Sequence, residues 1–206
     1  FCADSPKYGR IGDTFALRLV VPHLFPKQLP IVYELDGRIP QSGCFHVNPL
    51  DKSLCLGSPI RLLGTLAPAP TLTTFARNCL IPYLYAVSLK LAHGVAFAFG
   101  ELPHGSRGEL LDYADLFGLK TREQVLAAIG CLGLKKRRAN KLTCPCECGR
   151  RLGICAFNKR MKTFRQLAER AWFRQLLSKL SQNASPVASE DFSLRIALAA
   201  PSVSQR

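Results

Sequence analysis

The chain has 206 residues, about half of them apolar, and carries 28 Lys and Arg against 14 Asp and Glu, a net charge of +14; that length fits one or two domains, and that apolar share a globular chain with a sizeable core. A membrane-spanning helix is not expected, because the apolar region from Thr71 to Gly100 is interrupted by Arg77, Asn78, Lys90 and His93, and its unbroken part, Cys79 to Leu89, is too short. The nine cysteines are odd in number and four crowd into one segment, which argues against a secreted disulfide framework and for a reducing cytoplasm.

The chain starts at Phe1 without a Met, so a preceding segment is expected; no signal peptide is recognisable at this start. Phe1 to Tyr8 reads as the end of a helix or as a first strand. From Gly12 to Pro22 apolar and polar residues alternate, with Phe15, Leu17 and Leu19 set against Ala16 and Arg18, the pattern of a half-buried strand. Leu24 to Tyr33 contains Pro26 and Pro30, which cannot donate to a ladder and so suit turns and edges.

The stretch His46-Val47-Asn48-Pro49-Leu50-Asp51-Lys52-Ser53-Leu54-Cys55-Leu56 then places a lone thiol where strand-like sequence gives way to helix. A His and an Asn shortly before a Cys fit a thiol protease dyad or a thioester-carrying transferase. A Cys between leucines also fits a buried, inert thiol. Protease families usually place the catalytic His far from the Cys in sequence, which weakens that alternative.

Beyond it, Gly57-Ser58-Pro59 and Ala67-Pro68-Ala69-Pro70 bracket a short apolar segment, Ile60 to Leu66. Thr71 or Thr73 can cap a helix through Phe75, Cys79, Leu80, Leu84, Val87 and Leu91, with a kink or restart expected at Pro82. That apolar stripe reads as core, and His93 as a polar residue near the helix end. A further helix is expected from Glu109 to Phe117.

Two stretches carry a family resemblance. A strand, a Phe-Pro turn, a Pro-led strand, His46 and Asn48 in an irregular segment and finally Leu54-Cys55-Leu56 follow one another as in the ubiquitin-conjugating enzymes, whose His-Pro-Asn motif lies shortly before the thioester cysteine. Here Pro49 follows the Asn, and Cys55 comes seven residues after Asn48. Phe99-Gly100-Glu101-Leu102-Pro103-His104-Gly105, leading into Gly108 to Gly118, resembles the segment after the long helix in bacterial ubiquitin-conjugating-like proteins of antiphage operons, including cyclic-oligonucleotide signalling systems (CBASS). The likeness covers residues 8 to 118. It implies an α+β fold, an antiparallel sheet with helices, and a catalytic domain over residues 1–119. It implies further that Cys55 carries an acyl group as a thioester, that Asn48 supports the loop and the oxyanion, and that His46 is mainly structural. His104 has two readings, a group near the site or a capping residue.

After residue 119 the character changes. Thr121-Arg122-Glu123-Gln124 opens a helix with a capping box, Val125, Leu126, Ile129 and Leu132 form its apolar face, and Gly130 and Gly133 mark its end. Residues 120–180 form a basic helical region: from Lys135 to Lys179 there are 14 Lys or Arg against only Glu147 and Glu169. Such asymmetry calls for an acidic partner or nucleic acid, with a solvated basic helix as the bland alternative. Within it, Cys144, Cys146, Cys148 and Cys155 can satisfy a tetrahedral structural zinc. Their C-x-C-x-C spacing needs a turn to converge, and reduced free thiols or a redox disulfide are the competing readings. Phe157 to Leu180 reads as one basic amphipathic helix with Phe164, Leu167, Ala168, Ala171, Trp172 and Leu176 on one side. Residues 181–206 read as a linker from Ser181 to Glu190 and a tail, with Phe192 to Leu198 alternating like a strand.

Three functions remain from the sequence. One is a conjugating enzyme of bacterial antiviral defence that joins a protein C-terminus to an amine; by resemblance its partners are a cGAS-like nucleotidyltransferase and an activating enzyme. The second is a catalytically inactive binding module that stabilises such a partner. The third is a nucleic-acid-binding protein that uses the basic Cys-rich segment.

Overall fold

The computed structural model describes residues 1–5, 8–97 and 105–182. It is a mixed α+β chain with two small antiparallel sheets ahead of a set of helices. At the start of the chain β1 (Cys2–Ser5) pairs antiparallel with β2 (Gly9–Gly12), the strand alternative of the two expected there. The second sheet joins β3 (Leu17–Val20) to β4 (Ile31–Glu34), from Leu17 opposite Glu34 to Val20 opposite Ile31. Pro22 and Pro30 stand just outside these strands, where no ladder donor is needed. The expected alternation is realised only partly. Leu17 packs against the core, while Leu19 lies exposed beside Val20.

A short 3-10 turn, Gly43–Phe45, leads to the Cys55 segment. Helix α1 (Pro59–Leu66) follows, with Pro59 in the first turn, where a missing N–H costs nothing. Helix α2 (Leu72–Phe75) is capped by Thr71, whose side chain accepts from the Thr74 N–H. It runs through a π-helical turn, Ala76–Leu80, into α3 (Ile81–His93). Pro82 therefore does not break the helix. The widened turn lies just ahead of the proline, where a regular α-helix would drive its ring into the preceding carbonyls. Gly94 ends α3 at φ +64, a left-handed conformation suited to glycine. No helix among the described residues is long and apolar enough to cross a membrane.

Helix α4 (Gly105–Phe117) is followed by α5 (Arg122–Gly133), whose capping box is complete: Thr121 accepts from Gln124 N–H, and Gln124 accepts from Thr121 N–H. Helix α5 ends at Gly133, as expected, while Gly130 lies inside it, and both also serve packing. A Cβ on Gly133 would lie 3.0 Å from Arg174 Cγ, and one on Gly130 3.7 Å from a Leu177 methyl, so they let a later helix approach closely.

After α6 (Lys136–Ala139) and the cysteine loop, the single helix expected over 157–180 is instead two, α7 (Phe157–Leu167) and α8 (Arg170–Gln182). The reason is angular. At about 100° per residue, one straight helix would point its first buried pair, Phe157 and Met161, about 120° away from Phe173, Leu176 and Leu180. Extended backbone at Ala168 (φ −149, ψ 169) reorients the second half, so both sets face one core. Ser181 and Gln182 belong to α8. The rest of the expected linker, and the strand-like Phe192 to Leu198, lie outside the described residues.

Two apolar clusters result. The first gathers Val32, Val47, Leu54, Phe75 and Tyr83 beneath the second sheet. The larger runs from Ile60 and Leu63 through Tyr113, Phe117 and Ile129 to Phe173 and Leu180. Helix α1 contributes to both, with Leu66 in the first and Ile60 and Leu63 in the second.

Candidate functional site

The residues around Cys55 meet in a tight antiparallel turn. Val47 and Leu54 form a β-bridge, Asn48 N–H donates to the Ser53 carbonyl (2.9 Å), and Cys55 N–H donates to the His46 carbonyl (2.7 Å). Leu54 N–H also donates to the Val32 carbonyl (2.8 Å), which ties the turn to β4. Inside it a short relay fixes the side chains. Asn48 Nδ2 donates to Ser53 Oγ (2.7 Å), and Ser53 Oγ donates to Asp51 Oδ1 (2.8 Å). The Ser53 hydroxyl and N–H hold the Asp51 carboxyl below its ordinary range. His46 takes the left-handed conformation (φ 53), and its ring meets Phe97 edge-on at 4.6 Å. The structure thus brings His46, Asn48 and Cys55 together through backbone pairing. His104 and the rest of the 99–104 motif lie outside the described residues.

Cys55 and Asn48 line a cleft of about 220 Å³ floored by Leu62 and Phe75. Its far wall carries two groups that the sequence did not point to, Glu109 of α4 and Lys179 of α8, with Lys179 Nζ 2.7 Å from Glu109 Oε1. They are 70 residues apart, so no local spacing could have announced the pair. The Cys55 residue reaches solvent, yet protein crowds its sulfur. Solvent contact and crowding pull the thiol in opposite directions, and crowding wins: burial pushes its pKa up, helped by Glu109, while the Gly57 N–H and Lys179 oppose the rise. At neutral pH this sulfur is a protonated thiol.

The cleft walls are held by a polar clamp. Buried Asp112 of α4 accepts from Ser58 Oγ and from Arg61 Nε (2.7 Å), and Arg61 Nη2 also reaches Asp115 (2.9 Å). Ser58 and Arg61 lie at the start of α1, so the clamp sets the Cys55 turn against the helix that carries Glu109.

The second candidate is the cysteine loop between α6 and α7. The sulfurs of Cys144, Cys146, Cys148 and Cys155 all lie within 4.8 Å of one another, with neighbours at 3.2, 3.5 and 3.6 Å. A tetrahedral site with Zn–S bonds of 2.3 Å has sulfur–sulfur edges of about 3.8 Å, so the spacing fits a four-thiolate metal centre. Disulfide bonding needs sulfurs about 2.05 Å apart, and all four thiols are free. The turn needed for convergence comes from Glu147 at φ +59 and Gly149 at φ +73, closed by Cys144 N–H donating to the Arg150 carbonyl (2.8 Å). Gln124 Nε2 bonds Glu147 (2.8 Å), which docks the loop on the start of α5. The Arg150 N–H, together with neighbouring thiols and the Arg150 side chain, draws Cys148 down to about 6, whereas burial pushes Cys144 up. A bound dication would supply the charge that lets all four ionise.

Compared with family models, with curated proteins and with solved structures, the chain matches none.

Proposed function

We propose that this chain is an acyl-carrying transferase of the ubiquitin-conjugating type, in which Cys55 holds an acyl group as a thioester and passes it to an amine. The observation that carries this reading is the turn itself: backbone pairing brings the His46, Asn48 and Cys55 segments together, with Asn48 and a solvent-reaching Cys55 lining one cleft. The order of strands and motif in the sequence supports it independently. In this mechanism Cys55 sulfur attacks the donor carbonyl, and the thioester is then opened by the acceptor amine. Asn48 uses one amide N–H on Ser53, and its second is the donor for the tetrahedral oxyanion. The raised thiol pKa suits a slow-loading carrier: only the small thiolate fraction attacks, and a partner that supplies a base would speed the loading.

On this reading the ubiquitin-conjugating-like fold covers residues 1–119, and the cysteine loop binds one structural zinc. The family resemblance supplies the acceptor class, a cGAS-like nucleotidyltransferase of antiviral defence, and an activating enzyme as donor. In host cells, wild type should form a covalent species that free thiol cleaves. Cys55→Ser should trap a thiol-resistant oxyester, and Cys55→Ala should form neither. Undiminished conjugation by Cys55→Ala would sink the assignment.

A further inference from the structure

Lys179 and Glu109 share the cleft with Cys55, and nothing in the transfer reaction described above uses them. Lys179 lies on the last turns of α8, with a side chain about half exposed and its ammonium 2.7 Å from Glu109 Oε1. The Glu109 side chain is mostly covered, and among the described residues nothing donates to its buried second oxygen, Oε2. A nucleophilic thiol, a primary amine and a carboxylate with a spare acceptor therefore line one small cavity. The amine comes from a helix held against α5 by Phe173 and Leu176 in the shared core, so it is not a free surface lysine.

Resting on the assignment of Cys55 as the acyl carrier, we infer that Lys179 is an internal acceptor: the acyl group passes from Cys55 to Lys179 and leaves an amide that occupies the cleft. The step balances without any redox partner. The Lys179 ammonium gives one proton to Glu109, and the neutral amine attacks the thioester carbonyl. The carbon–sulfur bond breaks with its electron pair going to Cys55 sulfur. The second proton leaves the nitrogen for that sulfur, so the products are an amide on Lys179 and a free thiol. The acylated lysine loses its charge and its ion pair with Glu109, and its acyl chain lies across the path to Cys55. Self-acylation then switches the carrier off unless an external amine competes. The chemistry selects any acyl thioester able to load Cys55, most simply a peptide ending in glycine.

The test uses the full chain with a glycine-ended peptide α-thioester as donor, followed by intact mass and fragment mapping with and without free thiol. The expected course is a thiol-sensitive adduct on Cys55 that converts to a thiol-resistant adduct on Lys179. Lys179→Arg keeps the positive charge and the helix but should abolish that conversion, leaving the thioester to persist. Glu109→Gln should slow the conversion at neutral pH, with recovery at higher pH, where solvent removes the proton. A stable Cys55 thioester with no Lys179 amide, or thiol-resistant acylation spread equally over surface lysines, would overturn the internal acceptor while leaving the carrier intact. A Lys179 amide that forms equally in Cys55→Ala would overturn transfer through the thiol itself.

Discussion

Cys55 reaches solvent but is crowded by its own turn, and the sign of its titration follows from that. An ordinary cysteine ionises near pH 8.5; burial raises Cys55, so its reactive fraction is smaller than that of the unfolded chain at any pH below its folded pKa and approaches it as pH rises. Iodoacetamide labelling with peptide mapping should find Cys55 slower in the native protein than in urea at pH 8, with the gap closing towards higher pH. Faster labelling in the native state would mean a depressed thiol and a different kind of site. Asn48 has a separate task. If its free N–H steadies the oxyanion, Asn48→Ala should load acyl groups on Cys55 but transfer them more slowly by on the order of 3 kcal/mol in barrier. Single-turnover assays that separate loading from transfer distinguish this from collapse of the turn, which would lower both. Ser53→Ala releases the other N–H from its anchor, so it should damage loading and transfer alike.

Elements show which parts could be read in advance. The capping box at Thr121 and Gln124 is a local pairing, and the helix begins there as expected. Thr71 likewise caps its helix. The break at Ala168 is not local, because neither glycine nor proline marks it. Only the direction of the common core decides it, through the buried faces of α7 and α8. Gly133 does end its helix, whereas Gly130 lies inside it, at a place set by the approach of Leu177. The cysteine spacing was readable as a ligand set, but convergence depends on left-handed backbone at Glu147, a non-glycine position where the pattern gives no cue. Metal binding at such a site is coupled to local folding. Treatment with a strong chelator should therefore lower the melting temperature and loosen α7, seen as faster amide exchange over Phe157–Leu167, and metal analysis should return about one zinc per chain. Metal-free protein with unchanged melting would remove the centre.

At the scale of the whole molecule the charge of the C-terminal third divides into two uses. Part of it is spent internally, where arginines cap helix ends. Arg160 donates to the Phe117 carbonyl (2.5 Å), Arg165 to those of Cys131 (2.9 Å) and Leu134 (3.3 Å), and Arg174 to Gly133 (3.1 Å). Cations suit these carbonyl-rich ends. The exposed run Lys135, Lys136, Arg137, Arg138 is differently placed, on and beside the short α6. Arg165→Ala should cost about 2 kcal/mol in denaturant unfolding, the scale of a charged hydrogen bond in a half-buried place. Reversing Lys136, Arg137 and Arg138 together should leave stability nearly unchanged but slow association with an acidic protein partner and flatten its salt dependence. Association that ignores these charges would move the interface elsewhere, and tight, salt-steep binding of RNA or DNA would favour the nucleic-acid reading.

The acyl-carrying assignment stands or falls on the Cys55 sulfur. The thiol-sensitive covalent species formed by wild type in host cells is isolated under acidic, non-reducing conditions and digested, and the modified peptide is fragmented. The acyl carbonyl should lie on Cys55, within the peptide that also contains Asn48 or Leu56. An acyl carbonyl on another cysteine, with Cys55 recovered unmodified, would contradict it.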